Sequence, residues 1–207
     1  MITALEALKR LQAGNQRFVE GKSQTLCDHS AREQLVEGQS PFAIILGCSD
    51  SRVPAEMVFD QGIGDLFVIR VAGNIVAASQ VGSIEFAAEA FGTRLVVVMG
   101  HSRCGAVKAT LSELNTPSEN RSPNLRSIVD RIRPAVETLV EADTQNDPEI
   151  LMQHAVRANV RAAVSHLRHG SPVLERLIEE NDLLIVGAEY SLETGEVEFF
   201  EGVPVEA

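Results

Sequence analysis

No tryptophan occurs among the 207 residues, and there is a single tyrosine, Tyr190. Cysteine is nearly as scarce. Cys27, Cys48 and Cys104 are too few, and odd in number, for a disulfide framework, so they read as thiols or metal ligands. No apolar run approaches the roughly 20 residues needed to cross a bilayer, and no membrane association is expected. Positive charge is in deficit: 18 Lys and Arg face 29 Asp and Glu, for a formal net charge of -11. Polyanion affinity comes from cationic contacts with phosphates, so no nucleic-acid partner is expected either. Residues 1–20 mix both signs of charge and lack an apolar signal core, which points to a cytoplasmic protein. Eight Pro and fifteen Gly are ordinary counts and exclude low-complexity or collagen-like chains.

What is present is a set of short, almost wholly apolar runs at 41–47, 66–72, 94–100 and 182–188. Strands this uniform are buried on both faces, the signature of a parallel sheet covered by helices. The segments between them fit helices. The first, 4–18, is capped by Thr3 and has Leu5, Leu8, Leu11 and Phe18 near one face. Others are predicted at 30–37, at 79–91 with Ser79 as cap, and at 104–114. A helix marked by Leu125, Ile128, Val129, Ile132, Val136 and Leu139 follows, then 148–169 and 172–180. Asp147-Pro148 and Gly170 bound the longest: Asp caps, and Pro sits where its missing N–H is harmless. A hairpin over 190–200 adds an antiparallel edge strand. The fold class is α/β: a single domain over 1–207, with an N-terminal helical arm (1–38) and a mostly parallel sheet flanked by helices (39–207).

Ligands of such sheets bind beyond the carboxyl ends of the strands. Two chemistry-bearing sequences stand there, Cys48-Ser-Asp50-Ser-Arg52-Val-Pro54 and His101-Ser-Arg-Cys104-Gly105. Adjacent parallel strands bring Cys48, His101 and Cys104 together. Two thiolates and an imidazole suit Zn²⁺, one ion per chain. Cys104 opens a helix, where backbone N–H groups favour the thiolate, and Gly47, Gly100 and Gly105 leave the ion room. Three protein ligands leave a fourth position, where bound water becomes acidic enough to supply hydroxide near neutral pH. Two thiolates cancel the charge of the ion and weaken that effect, so help from neighbours is expected. Asp50 can accept a hydrogen bond from the zinc-bound hydroxide and orient it, and Arg52 can hold Asp50 as the carboxylate. Asp50 can instead fill the fourth position itself, giving a closed, inactive site. Val53, Phe67 and Val71 are candidate walls by proximity alone. His154, His166 and His169 read as a solvated face, Glu113, Glu119, Glu179 and Glu180 as surface charge, and Cys27 as a bystander.

These two motifs closely resemble the β-class carbonic anhydrases. The similarity extends to Gly64-Asp-Leu-Phe-Val-Ile-Arg70-Val-Ala-Gly73-Asn74 and Gly82-Ser-Ile-Glu-Phe-Ala87, and covers most of the chain. It implies zinc on Cys48, His101 and Cys104, an Asp50–Arg52 catalytic dyad, and reversible hydration of CO2 to bicarbonate and a proton. It also implies a homodimer or homotetramer in which the N-terminal arm packs on a second subunit. Gln39 stands where the family often has a substrate-contacting Gln supplied across the dimer interface. Some members carry a non-catalytic bicarbonate site built from a Trp, an Arg and a Tyr. Arg70 and Tyr190 match two of the places, whereas Ile45 stands at the Trp place. Two alternatives remain at this point: COS or CS2 hydrolysis on the same metal site, and a non-catalytic structural zinc module with Asp50 as permanent fourth ligand.

Overall fold

A computed structural model describes residues 2–24, 29–115, 122–142 and 147–204; Cys27 and Glu119 lie outside the described residues. Helix α1 (Ala4–Val19) opens on a capping box, with the Thr3 hydroxyl accepting from the Glu6 N–H and the Glu6 carboxylate accepting from the Thr3 N–H. Then come α2 (His29–Gln34), β1 (Ala43–Gly47), α3 (Ala55–Val58), β2 (Leu66–Arg70) and a 3-10 turn at Ala72–Asn74. Next are α4 (Ala78–Ala90), β3 (Leu95–His101), α5 (Gly105–Asn115) and α6 (Pro123–Ala142). The chain closes with α7 (Pro148–His169), α8 (Pro172–Asn181), β4 (Leu184–Tyr190) and β5 (Val197–Glu201).

The sheet order is β2-β1-β3-β4-β5, with the first four strands parallel and β5 antiparallel to β4. Every residue of β1 and β3 is buried, as their apolar runs require. Consecutive side chains of β1 point to opposite faces. Ile45 joins a core beneath α1 and α3, while Ile44 and Leu46 join one beneath α4, α7 and α8. The order reverses between β1 and β3, because β2 lies on one side of β1 and β3 on the other. Loops leaving these two strands diverge and open a crevice at their carboxyl ends. The chemistry-bearing motifs leave from there.

Helix α1 packs its Ala7, Leu8 and Leu11 face on its own subunit's core, so that face is not offered to a second subunit. The expected stripe is narrower than predicted: Leu5 and Leu125 are exposed. Helix α4 is not capped by Ser79. Ala77 holds the cap position, and the Ser79 hydroxyl bonds to the Gln80 side chain. The α7 bounds are those expected, with the Asp147 carboxylate accepting from the Glu149 and Ile150 N–H groups.

Asn15 and Gly14 help fasten α1 to the body. Asn15 donates to the carbonyls of Val58 (3.1 Å) and Gly195 (2.8 Å) and accepts from the Val197 N–H (2.8 Å). Gly14 lies against the Phe59 carbonyl, where a Cβ would sit 1.8 Å from that oxygen. Alanine normally strengthens a helix relative to glycine. Here Gly14→Ala is expected to destabilise the protein by about 1–3 kcal/mol, the usual cost of overpacking, read as a lower urea midpoint.

Candidate metal centre

Cys48 follows β1 directly and His101 ends β3, next to it in the sheet. Cys104 immediately precedes α5, and its carbonyl accepts the Lys108 N–H, so it occupies the cap position of that helix. All three are buried, and their ligand atoms (two Sγ and one imidazole nitrogen) lie within 4.8 Å of one another. In a tetrahedral zinc site the sulfurs stand about 3.8 Å apart, so only a small contraction is needed.

The imidazole is prepared for a metal. Its Nδ1–H donates to the Ser102 carbonyl at 2.9 Å, which leaves the Nε2 lone pair facing the thiols. Nε2 is buried and has no hydrogen-bond partner. A buried nitrogen without a partner is costly, and a metal ion between it and two sulfurs removes that cost. The sulfurs are equally prepared. Cys48 Sγ accepts the Gly73 N–H at 3.3 Å, and the first N–H groups of α5, at Ala106 and Val107, face Cys104. A hydrogen bond from Cys104 pulls the Cys48 thiol down against the effect of burial, with the Gly73 N–H assisting. Cys104 is correspondingly pushed up, by its hydrogen bond to Cys48 and by burial. The two sulfurs share one hydrogen bond, so the first thiolate formed is stabilised by the other thiol. A cation is required before both are thiolates.

Asp50 stands beside this group, with Oδ2 3.9 Å from His101 Nε2. Arg52 grips it with two parallel bonds, Nε to Oδ1 at 2.9 Å and Nη2 to Oδ2 at 2.8 Å, and the Arg52 N–H adds a third at 3.0 Å. The side-chain bonds from Arg52 hold the Asp50 carboxyl far below the usual carboxylate range. The pair is accordingly complete above the ordinary value of 3.8 and is lost only as pH falls through the lowered one. Asp50 is a carboxylate throughout the neutral range.

Arg70 shapes the same loop, donating to the carbonyls of Cys48 (3.0 Å) and Asp50 (2.5 Å). These bonds fix the backbone on either side of Ser49. Arg70→Ala is expected to weaken metal retention by this group about tenfold, measured by transfer to a competing chelator. Ile45 and Tyr190 share one core cluster, so an aliphatic side chain fills the Trp place.

Several expectations are corrected. Gly100 serves helix packing rather than the ion: a Cβ there would meet Val160 Cγ2 at 2.7 Å, on α7. Gly105 does stand in open space. Phe67 lies with Phe86 and Phe91 against α4 and is no wall of the site, and Val53 belongs to the core beneath α1. Val71 does pack on the cluster holding Cys48 and Cys104. Glu113 is buried rather than at the surface. His154, His166 and His169 are exposed on α7, as expected. Gln39 is exposed in the loop before β1. The five residues of β1 span about 16 Å, so Gln39 precedes the strand end opposite to its own Cys48.

Residues 43–197 match the family described as carbonic anhydrase. A carbonic anhydrase of Mycolicibacterium smegmatis is 40% identical over 196 residues, 93% of this chain and 91% of that one. Carbonic anhydrase 2 of Mycobacterium tuberculosis is 39% identical over 194 residues, covering 91% and 89%. The solved β-carbonic anhydrase CcaA superposes with a TM-score of 0.75 at 29% identity, covering 97% of this chain and 94% of that one. The chain belongs to the β-carbonic anhydrases, a family of enzymes. Within this β-carbonic anhydrase fold the Cys48–His101–Cys104 group is able to hold a metal. A β-carbonic anhydrase of Sordaria macrospora, one of two described as tetrameric, shares the fold with a TM-score of 0.73 at 23% identity, covering 94% of this chain and 97% of that one. Among the described residues, no helix is long and apolar enough to cross a membrane.

Proposed function

We propose that this chain hydrates CO2 reversibly to bicarbonate and a proton, with one zinc ion held by Cys48, His101 and Cys104. The observation that carries the reading is the buried, unpartnered Nε2 of His101, facing two buried thiols and 3.9 Å from the Asp50 carboxylate. Bound there, zinc would supply Lewis-acid activation of water near neutral pH.

The protein's own part is orientation and charge. The Ser102 carbonyl fixes the imidazole tautomer, and the Gly73 N–H steadies the Cys48 sulfur. Asp50 carries an acceptor oxygen beside the ligands. Accepting a hydrogen bond from the attacking oxygen turns that oxygen's lone pair toward the carbon of CO2. Arg52 keeps Asp50 ionised and in place for this task, and in a closed state Asp50 would itself turn onto the metal. A structural zinc module has no use for the bidentate Arg52 grip, which weighs against that alternative. CO2 offers no charged handle, and the proton released from the attacking water passes to buffer.

Gln39 is proposed to contact substrate in a partner subunit's site, since its own site lies beyond the far end of β1. The chain would then act as a homodimer or homotetramer, as one domain over 1–207. Thiol ligands that must stay reduced favour the cytoplasm. Gln39→Ala is expected to lower kcat/KM for CO2 about tenfold with zinc content unchanged, an effect typical of losing one hydrogen bond to a reacting group. Stopped-flow hydration assays on zinc-loaded protein test the whole reading. Rapid CO2 hydration with slower COS and CS2 turnover supports it; the reverse preference assigns the site to those substrates.

A further inference from the structure

The β4–β5 turn reaches the metal-ligand loop through one side chain. Glu193 Oε2 accepts the Ser102 hydroxyl at 2.7 Å, and Glu193 Oε1 pairs with Arg103 Nε at 2.7 Å. Ser102 and Arg103 are the two residues that separate His101 from Cys104. Each has a task in the site. The Ser102 carbonyl accepts the His101 Nδ1–H and so sets the ring's orientation. Arg103 has φ +56°, the left-handed region that a residue other than glycine does not adopt freely, and this turn directs the chain from β3 into α5.

Other bonds seat Ser102 in the same place. Its N–H donates to the Tyr190 carbonyl at 2.9 Å, and its hydroxyl accepts the Leu192 N–H at 3.0 Å. The turn bearing Glu193 is itself braced, with the Thr194 N–H on the Ser191 hydroxyl at 3.1 Å and the Gly195 N–H on the Ser191 carbonyl at 2.9 Å. An isolated exposed ion pair contributes little. Here one carboxylate grips two consecutive residues of a loop whose ends are both metal ligands, and it does so from a rigid turn.

We infer that Glu193 is a positioning residue for the metal centre: through Ser102 and Arg103 it sets the orientation of His101 and its separation from Cys104. The inference rests on Cys48, His101 and Cys104 being the zinc ligands. Glu193 is remote in sequence and touches none of the reacting atoms, so its effect is read in how the metal is held.

The test uses full-length wild type, Glu193→Ala, Glu193→Gln and the double variant Glu193→Ala with Arg103→Gly. Arg176→Ala serves as a control, because Arg176 and Glu89 form a comparably exposed pair at 2.8 Å elsewhere on the surface. Zinc transfer to a chromophoric chelator and the visible spectrum of the Co²⁺-substituted proteins are recorded beside thermal midpoints. Glu193→Ala should release zinc about tenfold faster and shift the Co²⁺ bands, with Glu193→Gln falling between it and wild type. Arg103→Gly should recover most of that loss, since glycine takes the left-handed conformation unaided. Arg176→Ala should change neither zinc release nor spectrum. Release by Glu193→Ala within about twofold of wild type, with an unchanged Co²⁺ spectrum, overturns the inference alone. A wild-type chain that takes up no metal overturns the site assignment and the inference with it.

Discussion

Cys48→Ser is expected to remove zinc from the protein and to lower CO2 hydration by at least about a thousandfold, because activated water is the whole of the nucleophile supply. Serine is close in volume to cysteine, and the site is seated in a core that includes Ile75, Val107 and Ile132, so the fold should survive. The chemistry should not. A serine hydroxyl is not ionised near neutral pH and is a hard ligand, whereas the donor set here is two sulfurs and a nitrogen. The Gly73 N–H that steadies a thiolate at Cys48 then faces a neutral oxygen. Metal content by elemental analysis and hydration by stopped-flow check both parts, and near-native circular dichroism separates site loss from unfolding. Full zinc occupancy in the serine variant would remove Cys48 from the ligand set.

Asp50→Asn carries the second large effect, and its signature is different. The amide keeps the size of the carboxylate, yet it loses the charge that Arg52 grips through two parallel bonds. Zinc should stay, since Cys48, His101 and Cys104 are untouched. Hydration should fall by about 10²–10³, the range found when one preorganised hydrogen-bonding group is removed from a reacting oxygen. The loss should appear in kcat and in kcat/KM alike, because the interaction belongs to the reaction rather than to capture of CO2. Arg52→Ala should reproduce part of it, through an Asp50 no longer held in place. Activity close to wild type in Asp50→Asn would mean that the Asp50–Arg52 pair only stabilises its loop.

Much of this was legible in the chain because its physics is local. A strand buried on both faces must be apolar along its length, so 43–47 and 95–100 stand out as uniform runs. The ends of α7 are written in Asp147, Pro148 and Gly170. The Cys48–His101–Cys104 group was legible because thiol and imidazole at the ends of two adjacent strands have few other uses. What escaped depends on tertiary approach. In the sequence Gly100 reads as clearing space for an ion, and only the placement of α7 shows that Val160 needs the room. Helical periodicity marked Leu5 and Leu125 as apolar stripe positions, yet it does not say how wide a face the core covers. Asn15 and Glu113 look like surface residues by type, and each is buried. Glu193 meets Ser102 across 91 residues, a contact that no local pattern announces. That Arg70 bonds the carbonyls of Cys48 and Asp50, some 20 residues away, is likewise set by tertiary approach.

The central claim is that a Cys48–His101–Cys104 zinc site flanked by the Asp50–Arg52 pair hydrates CO2. The most direct test is stopped-flow CO2 hydration by protein carrying one zinc per chain, followed from mildly acidic to alkaline pH beside the chelator-stripped protein. The account predicts hydration that rises with pH, disappears on stripping and returns with zinc. One zinc per chain on these three residues, with no CO2 hydration even at alkaline pH, would contradict it.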